Sequence, residues 1–356
     1  MTNLLYTEIE ESLRESVRGT IARHLSPEAT ANFYDEPQHW APAVWKSLTE
    51  ELGLAGLLVP EESGGAGAGP REAAVVLEEL GRAVAPAPYL TSSVIATTVL
   101  LEAGDTTHVP ALAAGEVTAA LVLPWSARPG AWSAAAPQDS VRPVAGALGA
   151  DLLLVPVTGA DGLELRVLRA GEGEVEPLVS LDMTRPLASV AVPEAGEVLA
   201  TGEKAHAAVE AGLAAGTALL PSEQYGLASW CLETTVDYVK TRIQFARPIG
   251  SFQAIKHRLA DLYLEVSQSC AAARYAAATL ATGDSDAAVA RGVAQAYCSD
   301  VAVHAAEEAV QLHGGNGMTW EYPVHLYLKR AKANQLALGT HERHREDLGP
   351  LVNLPR

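Results

Sequence analysis

The chain has 356 residues, a formal net charge of −18, 48% hydrophobic residues and three cysteines. That length exceeds one ordinary hydrophobic core and implies two or three units sharing interfaces. The acidic balance argues against nucleic acid, whose binding needs many Lys and Arg on one face, and no run of apolar residues is long enough to cross a membrane.

Residues 1–105 read as a small helical domain, because apolar residues in YTEIEESLRESVRGTIARHL and REAAVVLEELGRAV recur every three or four positions. The acidic, amphipathic start lacks the basic-then-apolar order of an export signal, so the chain is expected to be soluble and cytoplasmic. LGLAGLLVPEESGGAGAG ends in glycines, but no βαβ pattern with a spaced ribose-binding carboxylate follows, and a flexible helix-joining loop is expected there. Residues 106–200 change texture. AALVLPW, ADLLLVPV and LELRVLRA are short apolar runs separated by Gly, Pro and Asp, which predicts a middle antiparallel β domain. In residues 201–356 helical periodicity returns over long segments, as a C-terminal four-helix bundle requires. The fold class is α+β in the order helices, sheet, helices. Cys231, Cys270 and Cys298 sit in apolar helical patterns and are expected as small buried thiols of a reducing compartment, with no disulfide framework or zinc site.

One stretch runs against the acidic background. KTRIQFARPIGSFQAIKHR, residues 240–258, carries five Lys or Arg and no Asp or Glu. Arg242 closes one helix, Pro248 and Gly250 prevent its continuation, and Phe252 with Gln253 opens the next. Such a corner suits a phosphate-bearing planar cofactor: Arg offers a forked donor, Phe an apolar face and Gln an amide. The bland alternative is a solvated basic surface. Further on, QLHGGNGMTWEYPVHLYLKRAK places Gly314, Gly315 and Gly317 at a helix end. Helix capping accounts for one glycine; a turn exposing successive N–H groups to an anion accounts for all three.

These two motifs, together with VPEESGGAG, LEELGR and the helix–sheet–helix order, closely resemble the acyl-CoA dehydrogenase family over nearly the whole chain. The resemblance implies FAD lying at a subunit boundary. Arg242, Gln244, Phe245 and Gln253 would reach the pyrophosphate and adenosine part of a flavin whose ring lies in a neighbouring subunit, and Gln311, Gly314 and Gly315 would complete that half-site. The family's chemistry also needs a carboxylate that removes the α-proton of an acyl thioester while the flavin takes the β-hydride. Of the two positions where family members carry it, alignment places Leu338 of LALGT at one and Gly216 at the other, and neither takes a proton. The nearest carboxylate, Glu223, is about 10 Å further along the helix; a bonded helix-interface role is preferred for it over that of a base. The Thr-Glu-Pro and Gly-Ser-Asp segment that wraps the flavin ring in active members is missing from ALVLPWSARPGAWSAAAPQDSVRPVAG. VAGALGADLLLVPV and SLDMTRPL instead resemble partner subunits of actinobacterial heteromeric acyl-CoA dehydrogenases, some of which act on steroid side-chain thioesters. The expectation is a β-type subunit of an α2β2 enzyme, with a homologous catalytic partner, an acyl-CoA substrate and an electron acceptor such as an electron-transfer flavoprotein. The alternatives are a homo-oligomer using Glu223 and a flavin-free structural subunit. His341 and His344 have HxxH spacing but no matching carboxylate cluster; surface histidines and no metal are expected.

Overall fold

The computed structural model describes residues 3–34 and 39–354. Helix α1 (Glu8–His24) begins with a reciprocal cap, the Thr7 hydroxyl accepting from the Glu10 amide and the Glu10 carboxylate accepting from the Thr7 amide, which satisfies two free N–H groups. Short helices α2 (Pro27–Asn32) and α3 (Pro42–Lys46) follow, then α4 (Pro70–Arg82), α5 (Thr97–Glu102) and α6 (Val109–Ala113). The glycine-rich segment before α4, expected as a flexible loop, is folded onto itself. Leu54–Gly56 and Glu61–Ser63 form 3-10 turns, and a Cβ on Gly65 would fall 2.1 Å from the Val59 carbonyl oxygen, so the close approach there requires glycine.

Strands β1 (Ala119–Leu121), β2 (Ser140–Ala145), β3 (Leu152–Gly159), β4 (Gly162–Arg169), β5 (Val175–Leu178), β6 (Leu187–Ala191) and β7 (Glu197–Thr201) form two sheets, ordered β1-β3-β4-β7 and β2-β6-β5. The middle unit is not wholly antiparallel: β1 pairs with β3 in parallel, Ala119 opposite Leu152. A parallel neighbour needs a long crossover, here the segment that contributes β2 to the other sheet, and local strand spacing carries no sign of it. On β3, Leu153, Val155 and Val157 face the core shared with Val141, Val144 and Val190 of the second sheet. Leu152 and Leu154 instead join the core beneath the helices. Burial on both faces explains the unbroken apolar run.

Helix α7 (Gly202–Thr241) has 40 residues, about 60 Å at 1.5 Å per residue, and continues through Pro221. It is followed by a two-stranded hairpin, β8 (Ile243–Gln244) and β9 (Arg247–Pro248), then α8 (Gln253–Thr282), α9 (Ala287–His313), α10 (Val324–Leu336) and α11 (His341–Leu351). Helices α7 to α10 enclose Leu227, Cys231, Leu262, Val301, Ala305 and Tyr327. Helix α4 crosses α7 with almost no clearance. A Cβ on Gly81 would lie 2.1 Å from the Glu223 carbonyl oxygen, and one on Gly226 would lie 1.9 Å from that of Glu78. Among the described residues no helix is long and apolar enough to cross a membrane.

Candidate functional site

The basic corner is an exposed hairpin held between two long helices. Arg242 leaves α7 in extended backbone, and the turn between β8 and β9 places Phe245 and Ala246 at φ +54° and +61°. Two successive left-handed residues match the right-handed twist of a tight hairpin, but without glycine each is strained by about 1–2 kcal/mol. Strain of that size at an exposed turn marks it as a functional candidate. Phe245 is 88% exposed. The Arg247 guanidinium lies 3.9 Å from the centroid of the Phe252 ring, and Gln253 stands exposed at the first turn of α8. Arg242 is exposed and forms no ion pair with the described residues.

The glycine turn is tied to this corner from below. Tyr238, one helical turn before Arg242, stacks on His313 with ring centroids 4.1 Å apart. Its hydroxyl donates to the His313 carbonyl at 3.3 Å and accepts from Asn316 Nδ2 at 3.2 Å. The last turn of α7 and the Gly314–Met318 turn are therefore one unit. Gly314 alone of the three motif glycines takes a left-handed φ, +62°. Gly317 is required by close packing, a Cβ there meeting the Val310 carbonyl oxygen at 2.6 Å, while Gly315 faces open space. Gln311 and Gly315 are exposed. Tyr238, His313 and Asn316 escaped the sequence reading; the aromatic four residues before Arg242 and the histidine directly before the glycines were the available signals.

The two aligned base positions face each other elsewhere, in apolar surroundings. A Cβ on Gly216 would lie 2.7 Å from Ile95 Cγ1 and 3.2 Å from Leu338 Cδ1. The adjoining cavity is about 20 Å³ and is lined by Thr91, Ile95, Leu213 and Trp125 among others, with no carboxylate. Such a space admits about one water molecule. Leu338 is pinned at φ +53°: its N–H donates to the Trp125 carbonyl at 2.7 Å and its carbonyl accepts from His344 Nε2 at 2.9 Å. The segment around Gly130 and Trp132, where the sequence lacks the expected ring-wrapping motif, is strapped to α7: Glu210 accepts from the Gly130 N–H at 2.9 Å and from Trp132 Nε1 at 2.5 Å.

Glu223 belongs to a buried network. Arg330, 1% exposed, donates to Asp182, to Glu223 Oε1 at 2.9 Å and to the Thr184 hydroxyl at 2.6 Å. Arg185 donates to Glu223 Oε2 and to Asn334 Oδ1, both at 2.6 Å, and Asn334 Nδ2 donates back to Glu223 Oε1 at 2.9 Å. Burial alone would push the Glu223 carboxyl up; the two guanidiniums outweigh it and hold it down to about 2. A carboxylate so held is a poor base near neutral pH. Asp182, Arg185 and Arg330 were not singled out from the sequence, where 148 residues separate Asp182 from Arg330.

His344, expected at the surface, is buried, because its ring carries the hydrogen bond that fixes the Leu338 carbonyl. Cys231 and Cys298 are buried, whereas Cys270 is only half-buried. Among the described residues no group of three or more His, Cys, Asp and Glu could hold a metal ion.

Comparison with known proteins gives matches along the chain. The family models described as the N-terminal and C-terminal domains of acyl-CoA dehydrogenase match residues 7–116 and 206–350. Acyl-CoA dehydrogenase IpdE2 of Mycolicibacterium smegmatis is 39% identical over 334 residues, covering 94% of this chain and 95% of that protein. The solved ChsE4–ChsE5 complex from Mycobacterium tuberculosis shares the fold, with TM-score 0.88, 24% identity and 100% of each chain covered. The structure of Tcur3481–Tcur3483, described as a steroid acyl-CoA dehydrogenase, has TM-score 0.85 and 26% identity over 97% of this chain and 98% of that one.

Proposed function

The chain belongs to the acyl-CoA dehydrogenase family, and from that membership we propose that it is the β-type subunit of an α2β2 flavin-dependent enzyme whose homologous partner supplies the catalytic base. One observation carries this reading: Gly216 and Leu338 meet beside a cavity of about 20 Å³ with no carboxylate in its lining. A chain so built cannot take the α-proton at either family position. Glu223 is no substitute, since both its oxygens are engaged by cations and an amide.

What the chain offers is the basic corner. Arg242 has no internal counter-ion among the described residues, Phe245 is held outward in a strained turn, and the Gly314–Met318 turn is fixed beside them through Tyr238. These groups fit the adenosine and pyrophosphate part of FAD. Arg242 would hold the pyrophosphate through its forked N–H groups. Gln244 and Gln253 would hydrogen-bond the ribose or adenine, Phe245 would cover an apolar face, and Gln311 with the N–H groups of Gly314 and Gly315 would complete the half-site. FAD, when bound, supplies the hydride acceptor of the desaturation. The steroid acyl-CoA dehydrogenase likeness supports a steroid-type CoA thioester as substrate, and an electron-transfer flavoprotein is the acceptor in this reading.

Flavin absorbance per protein after gel filtration, with the chain ratio from a denaturing gel, tests the proposal. The chain purified alone is expected to hold little FAD, and the co-expressed complex a single FAD per pair of unlike chains. One full FAD per chain in this protein by itself would refute the half-site.

A further inference from the structure

A cavity lined by two arginines lies far from the basic corner. Its volume is about 210 Å³, and Arg128, Arg291, His344, Asp347, Leu348 and Leu351 line it. Arg291 sits near the start of α9 and His313 at its end, so 22 residues, about 33 Å of helix, separate the cavity from the glycine turn.

The charges here are unevenly matched. Arg128 donates to Asp347 from Nε at 2.6 Å and from Nη2 at 3.2 Å, leaving Nη1 without a partner among the described residues. Arg291 forms no ion pair or side-chain hydrogen bond with the described residues, although it is half-buried and burial draws its pKa below the ordinary value. The carboxylates whose fields reach it are Glu210 and Asp347. Both are engaged elsewhere: Glu210 by the Gly130 N–H and Trp132 Nε1, Asp347 by Arg128. Burial lowers the His344 pKa, against the opposing pull of the Leu338 carbonyl to which its Nε2–H donates. The Arg291 guanidinium therefore carries five N–H donors that no acceptor among the described residues takes up, open to water or to an anion entering the cavity. Beside these heads, Leu348 and Leu351 provide an aliphatic wall, and a Cβ on Gly292 would touch Leu348 Cδ2 at 2.9 Å, so glycine keeps that wall open.

We propose that this cavity binds a small organic anion, its oxyanion head on Arg291 and the free Nη1 edge of Arg128, its short aliphatic tail against Leu348 and Leu351. Nothing in this assignment depends on the flavin half-site.

Isothermal titration of the full chain with hexanoate, and separately with sulfate, tests it. Hexanoate is expected to bind saturably and more tightly than sulfate. Arg291→Gln should weaken hexanoate by at least about tenfold, with Arg291→Lys intermediate because a point charge lacks the fork. FAD content of the co-expressed complex should not change in these variants. Absence of saturable hexanoate binding to the unmodified chain, undiminished binding in folded Arg291→Gln, or sulfate binding as tight as hexanoate would overturn the proposal. Should Arg291→Gln fail to fold, Leu351→Ala probes the same cavity through the tail. A fall in hexanoate affinity with sulfate unchanged supports the site, and no fall overturns it.

Discussion

Helix α7 meets arginine in two opposite settings. At its middle, Glu223 is clasped by Arg185 and Arg330, which with Asp182 form a set of two cations and two anions, buried except for the edge of Arg185. At its end, some 19 residues or about 28 Å further on, Arg242 stands exposed with no ion pair among the described residues. The inner set is matched: each charge is paired with the protein's own groups. The outer corner is incomplete by the same measure. The contrast teaches that the charge worth following to function is the unmatched one, however much stronger the matched one's interactions are.

The sharpest way to break this comparison is to remove Arg330. Arg330→Met leaves Asp182 and Glu223 with a single guanidinium between them, and a loss of about 3–5 kcal/mol is expected in denaturant unfolding. A loss below about 1 kcal/mol would show that the inner set is not the matched cluster its geometry describes.

The pH dependence of stability should follow Glu223. Its folded pKa is depressed from an ordinary 4.5 to about 2, so the folded state binds its proton less readily than the unfolded chain. That stabilisation is complete above 4.5 and fades as pH falls toward about 2. It amounts to something on the order of 3 kcal/mol. Thermal melts across this window should show Glu223→Gln losing less stability than the unmodified chain; parallel curves would break the link to Glu223.

The smallest stability change belongs to the outer arginine. Arg242→Ala should change the unfolding free energy by no more than about 0.5 kcal/mol, yet lower FAD occupancy of the co-expressed complex, because a charge-assisted contact is worth roughly 1.5–3 kcal/mol. Unchanged occupancy would remove Arg242 from the half-site. A large stability loss would place it with the inner set.

Much of this architecture is written in local pattern. The 3.6-residue periodicity of α1 and α4 is plain, and the Pro–Gly interruption after Arg242 marks the corner between α7 and α8. The hairpin inside that corner is hidden, because Phe245 and Ala246 take left-handed angles that normally advertise themselves through Asn or Gly. The parallel β1–β3 pair is hidden because a crossover is a property of topology, not of residue spacing. The buried charge set is hidden for a further reason. Arg330 lies in LYLKRAKAN among other basic residues, and only the fold brings it to Asp182 from the loop before β6. His344 shows the same limit: its HxxH neighbour suggests a surface pair, while the ring is needed inside to hold a single carbonyl.

The crossing of α4 over α7 sets a mechanical tolerance for the whole chain. Gly81 and Gly226 each press against the other helix's backbone, where even a methyl group would have to occupy space 1.9–2.1 Å from a carbonyl oxygen. The pair acts as a dowel, fixing where the two helices touch and preventing one from sliding along the other. Helix α7 extends from that pin as a rigid lever, with Arg242 sixteen residues beyond Gly226, about 24 Å. A tilt of a few degrees at the dowel therefore becomes a displacement of an ångström or more at the corner that would meet another polypeptide. In the proposed assembly, a glycine that touches no ligand would set the alignment of one chain on the other.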